Sequence, residues 1–267
     1  MSRPTWTAIA IDRTRVELKE FFRSKEQMIF IFAFPLIFMA LFGAIFGSEE
    51  VAEGVSFAQY FLAGMIATGI MNTGFQSLAL GIATDRDEDI LKRLHGTPLP
   101  ATAFFAGRLA QVLLVSVVQL AALITLGVLA YDIDVPTTAD AWVTFTWVFL
   151  LGTAASVALG IATSSLLRNA RAGSAILTPV TLFLQFISGV FIVYTQVPTV
   201  LQNIASVFPL KWLAQGMRSV FLPEQFEAAE ASGSWQHGAT AIILAVWFIA
   251  GTFWAVRSFR WQRPEDK

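Results

Sequence analysis

The side chains with the most chemistry crowd into one run, Asp85-Arg86-Asp87-Glu88-Asp89-Ile90-Leu91-Lys92-Arg93-Leu94-His95-Gly96-Thr97-Pro98-Leu99-Pro100. The spacing predicts a short helix. Acids fill its first turns and Lys92, Arg93 and His95 its last, which complements the helix dipole; Gly96 suits the residue past the end, and Pro98 and Pro100 stop the helix. Ile90, Leu91 and Leu94 then share one side, an apolar knob in a charged collar that includes Asp87, Glu88 and Arg93. Two readings stand: a solvated connector kept out of a bilayer by its charges, or a plug for a groove on a partner protein.

Reactive chemistry is otherwise sparse. The chain has no Cys, and His95 and His237 are far apart with no second ligand at zinc spacing, so no metal site is expected. No G-x-x-x-x-G-K-[ST] phosphate loop occurs, so the chain is expected to bind no ATP; its apolar runs show no His, Asp or paired nucleophile, so it is expected to be no enzyme, and no other cofactor is expected on it. Energy for any uphill work must come from elsewhere.

The long apolar runs hold no Asp, Glu, Lys, Arg or His, which argues against a proton-driven carrier, although a sodium site of carbonyls and amides stays open. Among their polar groups Asn72, Thr73, Gln76, Gln119 and Gln185 are read as buried, serving either as bonds between helices or as contacts along a substrate pathway. Phe30, Phe34, Phe38, Phe42 and Phe46 recur every fourth residue, a stripe that faces lipid or core, or forms a soft wall for amphipathic cargo with Phe34, Phe38 and Phe42 at its centre. Gly152, Ser156, Gly160 and Ser164 repeat at the same period and suit close helix packing, within one subunit or between two.

The elements that must position these residues follow from composition. Of 267 residues 55% are hydrophobic and 14% charged, with mean hydropathy +0.63, which indicates a polytopic all-α membrane protein. Uncharged runs predict six transmembrane helices at about 28–47, 57–83, 109–130, 141–167, 172–193 and 238–256, each near the 20 residues a bilayer needs. Residues 1–27 read as a helix on the membrane surface or as a plain cytoplasmic helix, with Trp6, Ile9, Ala10, Val16 and Phe21 on one arc that Arg13, Glu17 and Glu20 interrupt. The amino terminus does not read as a cleaved signal and is expected to be retained.

Orientation comes from Lys and Arg. The amino-terminal segment, the 84–108 and 168–171 connections and the tail hold Arg3, Arg13, Arg15, Lys19, Arg23, Lys25, Arg86, Lys92, Arg93, Arg108, Arg168, Arg171, Arg257, Arg260, Arg263 and Lys267; the other connections hold only Lys211 and Arg218, beside acids such as Glu49, Glu50, Glu53, Asp132, Asp134 and Asp140. Both termini and the 84–104 segment are therefore expected in the cytoplasm. Pro198, Pro209 and Pro223 cut 194–236 into pieces too short to cross, so that stretch is expected to form an outer re-entrant or interfacial helical hairpin. On it, Lys211 and Arg218 read as contacts to anionic headgroups of lipid or cargo, or as snorkelling side chains. The chain reads as one membrane domain with no nucleic-acid partner.

Three stretches resemble the ABC-2 type transporter permeases, and within them the drug-resistance branch typified by the daunorubicin/doxorubicin exporter permease. They are Asp87 through Leu99, which is similar to that family's acidic-to-basic loop ending in a Gly/Ala-Thr-Pro-Leu turn; Ser164-Ser165-Leu166-Leu167-Arg168-Asn169-Ala170; and Ser188-Gly189-Val190-Phe191 through Pro198 and Phe208-Pro209-Leu210 to Met217-Arg218. The family's loop often carries Glu where Asp85 or Asp87 stands, and Lys92-Arg93 replaces a commoner Glu-Arg or Glu-Lys pair. The resemblance implies the permease subunit of an exporter of amphipathic drugs or lipids in the bacterial plasma membrane. It implies a separate cytoplasmic ATP-binding cassette ATPase carrying ATP and Mg, and a second permease, identical or not. It also implies that Asp87, Glu88, Ile90, Leu91, Arg93 and Leu94 couple the two kinds of subunit. Export of a lipid-linked glycan ranks lower, since only three Tyr occur; a non-transporting membrane anchor and an ion-driven carrier are the alternatives of other classes.

Overall fold

A computed structural model describes residues 5–52 and 54–259. Arg3, Glu53, Arg260, Arg263 and Lys267, which enter the orientation argument, lie outside the described residues. The chain is almost wholly helical. Helix α1 (Trp6–Arg23) starts at Thr5, whose hydroxyl accepts from the Ala8 amide, and breaks at Ser24 into α2 (Lys25–Phe46). A small antiparallel pair, β1 (Glu50–Ala52) and β2 (Val55–Ser56), leads into α3 (Phe57–Met71). A π-helical segment, Asn72–Ser77, joins α3 to α4 (Leu78–Asp87) with helical backbone angles at both junctions, so the path from 57 to 87 is one continuous widened helix.

After α4 come α5 (Ile90–His95), α6 (Ala101–Tyr131), α7 (Ala139–Ser164) and α8 (Ala170–Ile187). The short helices α9 (Thr199–Ala205) and α10 (Pro209–Phe221) and the long α11 (His237–Ser258) complete the order. Among the described residues five helices are long and apolar enough to cross a membrane: Met28–Phe46 within α2, then α6, α7, α8 and α11.

Helix α3 sits at the centre. It is apolar on all sides and nearly every residue is buried, which is what a helix surrounded by others requires. Helices α10, α2, α6 and α7 pack on it, and at the periphery α2, α8 and α11 keep outward apolar side chains such as Ile37, Leu41, Ile176, Phe183, Ile242 and Ile249, as suits contact with lipid.

Three expectations change. Residues 101–108, assigned to a connector, are the first turns of α6: Pro100 fixes the extended start and no breaker follows before Tyr131, so the helix runs about 46 Å, well past the hydrocarbon. The span expected to reach 193 stops at Ile187, because Gly189 turns the chain at φ +76°. The arc Trp6, Ile9, Ala10, Val16 and Phe21 is not the packed face of α1. Arg13, Glu17 and Phe21, four residues apart, are buried against α6 and its neighbours, while Trp6 and Val16 point outward.

Pro198, Pro209 and Pro223 fall at element starts, where a missing N–H costs nothing: before α9, at the first position of α10, and before a 3-10 turn at Glu224–Ala229. All of α10 except Ser219 is buried, packed against α3, α7 and α11.

Candidate functional site

Midway along the bundle the π segment gathers most of the amides. Its widening lets α7 approach the backbone: a side chain at Gly160 would collide with the Gly74 carbonyl, and one at Gly74 would come 2.8 Å from the Ser156 Cβ. On the opposite side Gln185 Nε2 donates to Asn72 Oδ1 (3.3 Å), Gln76 Nε2 to Thr178 Oγ1 (2.9 Å) and Thr73 Oγ1 to Gln119 Oε1 (3.5 Å). Gln119 Nε2 donates to the Ile31 carbonyl at 2.7 Å. That carbonyl lost its helical donor because the residue four ahead is Pro35, so Gln119 replaces the missing N–H.

Phe34 closes the belt, lining a small void with Asn72, Gln76 and Gln119. Phe34, Asn72, Gln76, Gln119 and Gln185 are thus brought together. Phe38 and Phe42 lie further along, each ring tilted against Phe191 with centroids 5.7 and 6.2 Å away, and Phe42 also stacks on Phe61 at 5.1 Å. The row of small residues on α7 packs within the subunit: Gly152 receives Leu213, Ser156 donates to the Gly152 carbonyl and Gly160 meets the π segment.

A second cluster, invisible to the periodicity argument, joins the middle of α1 to the end of α4 and the first turns of α6. Arg13 pairs with Glu17, Arg108 pairs with Asp85, and Arg108 NH1 lies 2.5 Å from Glu17 Oε2. Both guanidiniums lie over the Phe104 ring, at 5.2 and 5.6 Å. Burial drives the Glu17 carboxyl up to about 7 against the opposing pull of Arg108 and Arg13, and burial likewise raises Asp85. The Arg13/Glu17 pair at i, i+4 was the available signal, an interruption in an apolar arc that marks the inner face. Gly107 admits the close approach, since a side chain there would meet the Arg13 Cγ at 2.7 Å.

The run at 85–95 is only partly the expected knob. Arg86 is buried and its NH2 donates to the Ser164 and Leu167 carbonyls at 2.9 and 2.7 Å, capping the end of α7. Asp87 accepts from the Ala170 amide at 2.8 Å, at the start of α8. Asp89 then turns the chain at φ +57° into α5. Leu91 is 0% exposed, packed with Ile82, Phe104, Ile161 and Ala255, and Leu94 leans on the same cluster. Ile90 lines a cavity beside α1. Ile90, Leu91 and Leu94 therefore do not project as a plug, because the foot of the bundle has an apolar pocket of its own to fill. The outward face of α5 consists of Lys92, Arg93 and His95, with Glu88 and Asp89 before it.

The headgroup expectation for Lys211 and Arg218 also changes, since both are internal. Arg218 is 0% exposed, with Nε 2.5 Å from Glu230 Oε1, NH2 3.2 Å from Oε2 and its guanidinium over the Tyr60 ring. Lys211, 4% exposed, donates to Gln215 Oε1 at 2.5 Å and lies 3.5 Å over the Trp212 ring. The acid that decides this, Glu230, is twelve residues on, beyond any helical spacing. Among the described residues no group of acids and histidines could hold a metal ion.

Fold and site together define a multi-pass helical membrane protein whose polar side chains bind and brace. Residues 14–222 match the family model of the ABC-2 type transporter, a stretch from within α1 to the end of α10, and the chain belongs to that family. It is thus a transporter membrane component, of a family that generally works with an ATPase partner. No curated protein matched the chain.

Proposed function

We propose that this chain is the permease subunit of an exporter that moves amphipathic drugs or lipids out of a bacterial cell, driven by a separate ATPase. In this reading six spans cross the plasma membrane: the five long helices and, over residues 57–83, the composite helix that begins at Phe57. Both termini and α5 face the cytoplasm, residues 194–236 fold back at the outer face, and a second permease completes the transport path.

The observation that carries the reading is the continuity of α4. Its lower end holds α5 through Leu91, α7 and α8 through Arg86 and Asp87, and α6 through the Asp85–Arg108 pair, with Arg108 in turn holding Glu17 of α1; its upper end is the π segment with the amide belt. A push on α5 from an ATPase therefore reaches the belt along one element, which is what coupling between two sites requires. Phe34 with the amides would receive a cargo that is apolar with a few polar groups.

Vesicles containing this chain and a co-expressed ATPase test it. ATP-dependent uptake of a fluorescent amphiphile into inside-out vesicles, abolished by disabling the ATPase, is the expected result. An intact complex with no flux of any amphiphile or lipid would leave a membrane anchor instead.

A further inference from the structure

A cavity of about 590 Å³ opens between α1, α2, α4 and α6, beside the buried charge cluster. Its volume lies within the range of small-molecule sites. Four carboxylates line it, Glu17, Glu20, Asp85 and Glu88, against one cation, Arg108. Glu17 and Asp85 are matched by Arg13 and Arg108, so the excess negative charge belongs to Glu20 and Glu88, which are exposed.

Deeper in, Gln111 is only 7% exposed, lines the cavity, and makes no hydrogen bond to any described residue. Its side-chain amide reaches the cavity without a partner from the described residues, so a polar group held there can bond to it. Phe21, Phe30, Ile31 and Val112 supply apolar walls. An inorganic cation is poorly matched: no metal-holding group occurs among the described residues, and the space is many times an ion's volume.

We propose that this cavity binds a primary ammonium carried on an apolar body, with the ammonium between the Gln111 amide and the Glu20 and Glu88 carboxylates and the body against Phe30 and Ile31. A free amphiphilic amine and an aminophospholipid headgroup share this chemistry. The proposal deepens the exporter reading by naming a cargo class, and it rests on that reading only for the physiological meaning of the site.

The test uses the full-length chain in phosphatidylcholine nanodiscs, with dansylcadaverine as a fluorescent probe and its N-acetyl derivative as the neutral control. Saturable binding is expected, with the acetylated probe about tenfold weaker, because acetylation removes the charge-assisted hydrogen bonds of the ammonium. Gln111→Leu and the pair Glu20→Gln/Glu88→Gln should each weaken the amine by about the same factor and leave the acetylated probe unchanged. Equal binding of both probes, or wild-type affinity in both variants, overturns the proposal.

Replacing a third of the lipid by phosphatidylethanolamine identifies the source. Competition with the probe assigns the site to a lipid headgroup, and its absence to a free amine; both outcomes support the site. Binding without ATP-dependent flux of dansylcadaverine would remove the exporter reading and leave the site, whereas flux with binding insensitive to the variants would do the reverse.

Discussion

Arg218 of α10 and Glu230 beyond it meet at 2.5 Å with Arg218 fully buried and Tyr60 beneath the guanidinium. The same arginine points NH1 at the Gly189 carbonyl (3.4 Å), and Tyr60 Oη donates to that carbonyl at 3.0 Å. One ion pair thus ties α3, the turn after α8 and α10 together on one side of the bundle.

Removing one partner of such a pair leaves a buried charge alone, at about 3–5 kcal/mol. Arg218→Gln should therefore lower Tm in detergent by roughly 10 °C, at roughly 2–4 °C per kcal/mol for a chain of this size. The double change Arg218→Met/Glu230→Leu should recover most of the loss. Loss of transport in Arg218→Gln should be the same in neutral and anionic vesicles, because the side chain meets protein and not headgroups. A wild-type Tm for the single variant would contradict the buried pair.

Gly160 faces the Gly74 carbonyl so closely that any side chain must displace backbone, with the Phe75 carbonyl 2.9 Å away as well. Gly160→Ala should cost about 1–3 kcal/mol, as overpacking does, despite the better helix propensity of Ala. Gly238→Ala is the control, since nothing lies within 4 Å of a side chain there. Thermal unfolding of the two variants should separate cleanly, with the control at or slightly above wild type.

How much of this was legible in the residues depends on which neighbours each side chain has. The apolar runs were readable because a bilayer imposes a length and excludes charge, and five of the predicted spans correspond to long apolar helices. Inward charges on α1 were not, because periodicity treats Arg13 and Glu17 as solvent-facing; Asp85 and Arg108, which complete the cluster, are far along the chain. Leu91 shows the same limit from the other side: its spacing establishes an apolar face but not whether Ile161 and Ala255 or another protein covers it. The amides Asn72, Gln76, Gln119 and Gln185 were found by type alone, since few polar groups interrupt the runs. Their convergence depends on a π turn, for which Asn72-Thr73-Gly74 carries no recognised signal.

Glu17 supplies a pH dependence. Its carboxyl sits at about 7 when folded against an ordinary value of 4.5, so the folded state holds the proton more tightly. The contribution to stability is fully present below about pH 4.5 and is lost as pH rises through about 7. Asp85, also raised by burial, acts in the same direction. Tm measured from pH 5 to pH 8 should fall by several degrees, and Glu17→Gln should flatten that slope whatever its effect on absolute stability. A slope unchanged in the variant would assign the titration elsewhere.

The last prediction separates folding from docking at α5. Leu91→Asp places a carboxylate among Ile82, Phe104, Ile161 and Ala255, at a cost of several kcal/mol, so folded permease should be lost with or without an ATPase present. Lys92 and Arg93 are exposed on the other side of the same helix, where a charge change usually alters stability by less than about 1 kcal/mol. Lys92→Glu/Arg93→Glu should therefore purify at wild-type yield and Tm. It should nonetheless capture at least about tenfold less of a co-expressed ATPase, because reversing two charges at a complementary interface places like charges together. Size-exclusion chromatography of each variant, alone and with the ATPase, reads both quantities. A folded Leu91→Asp permease would refute the inward placement of that side chain, and wild-type capture by the charge-reversed pair would move the docking surface away from α5.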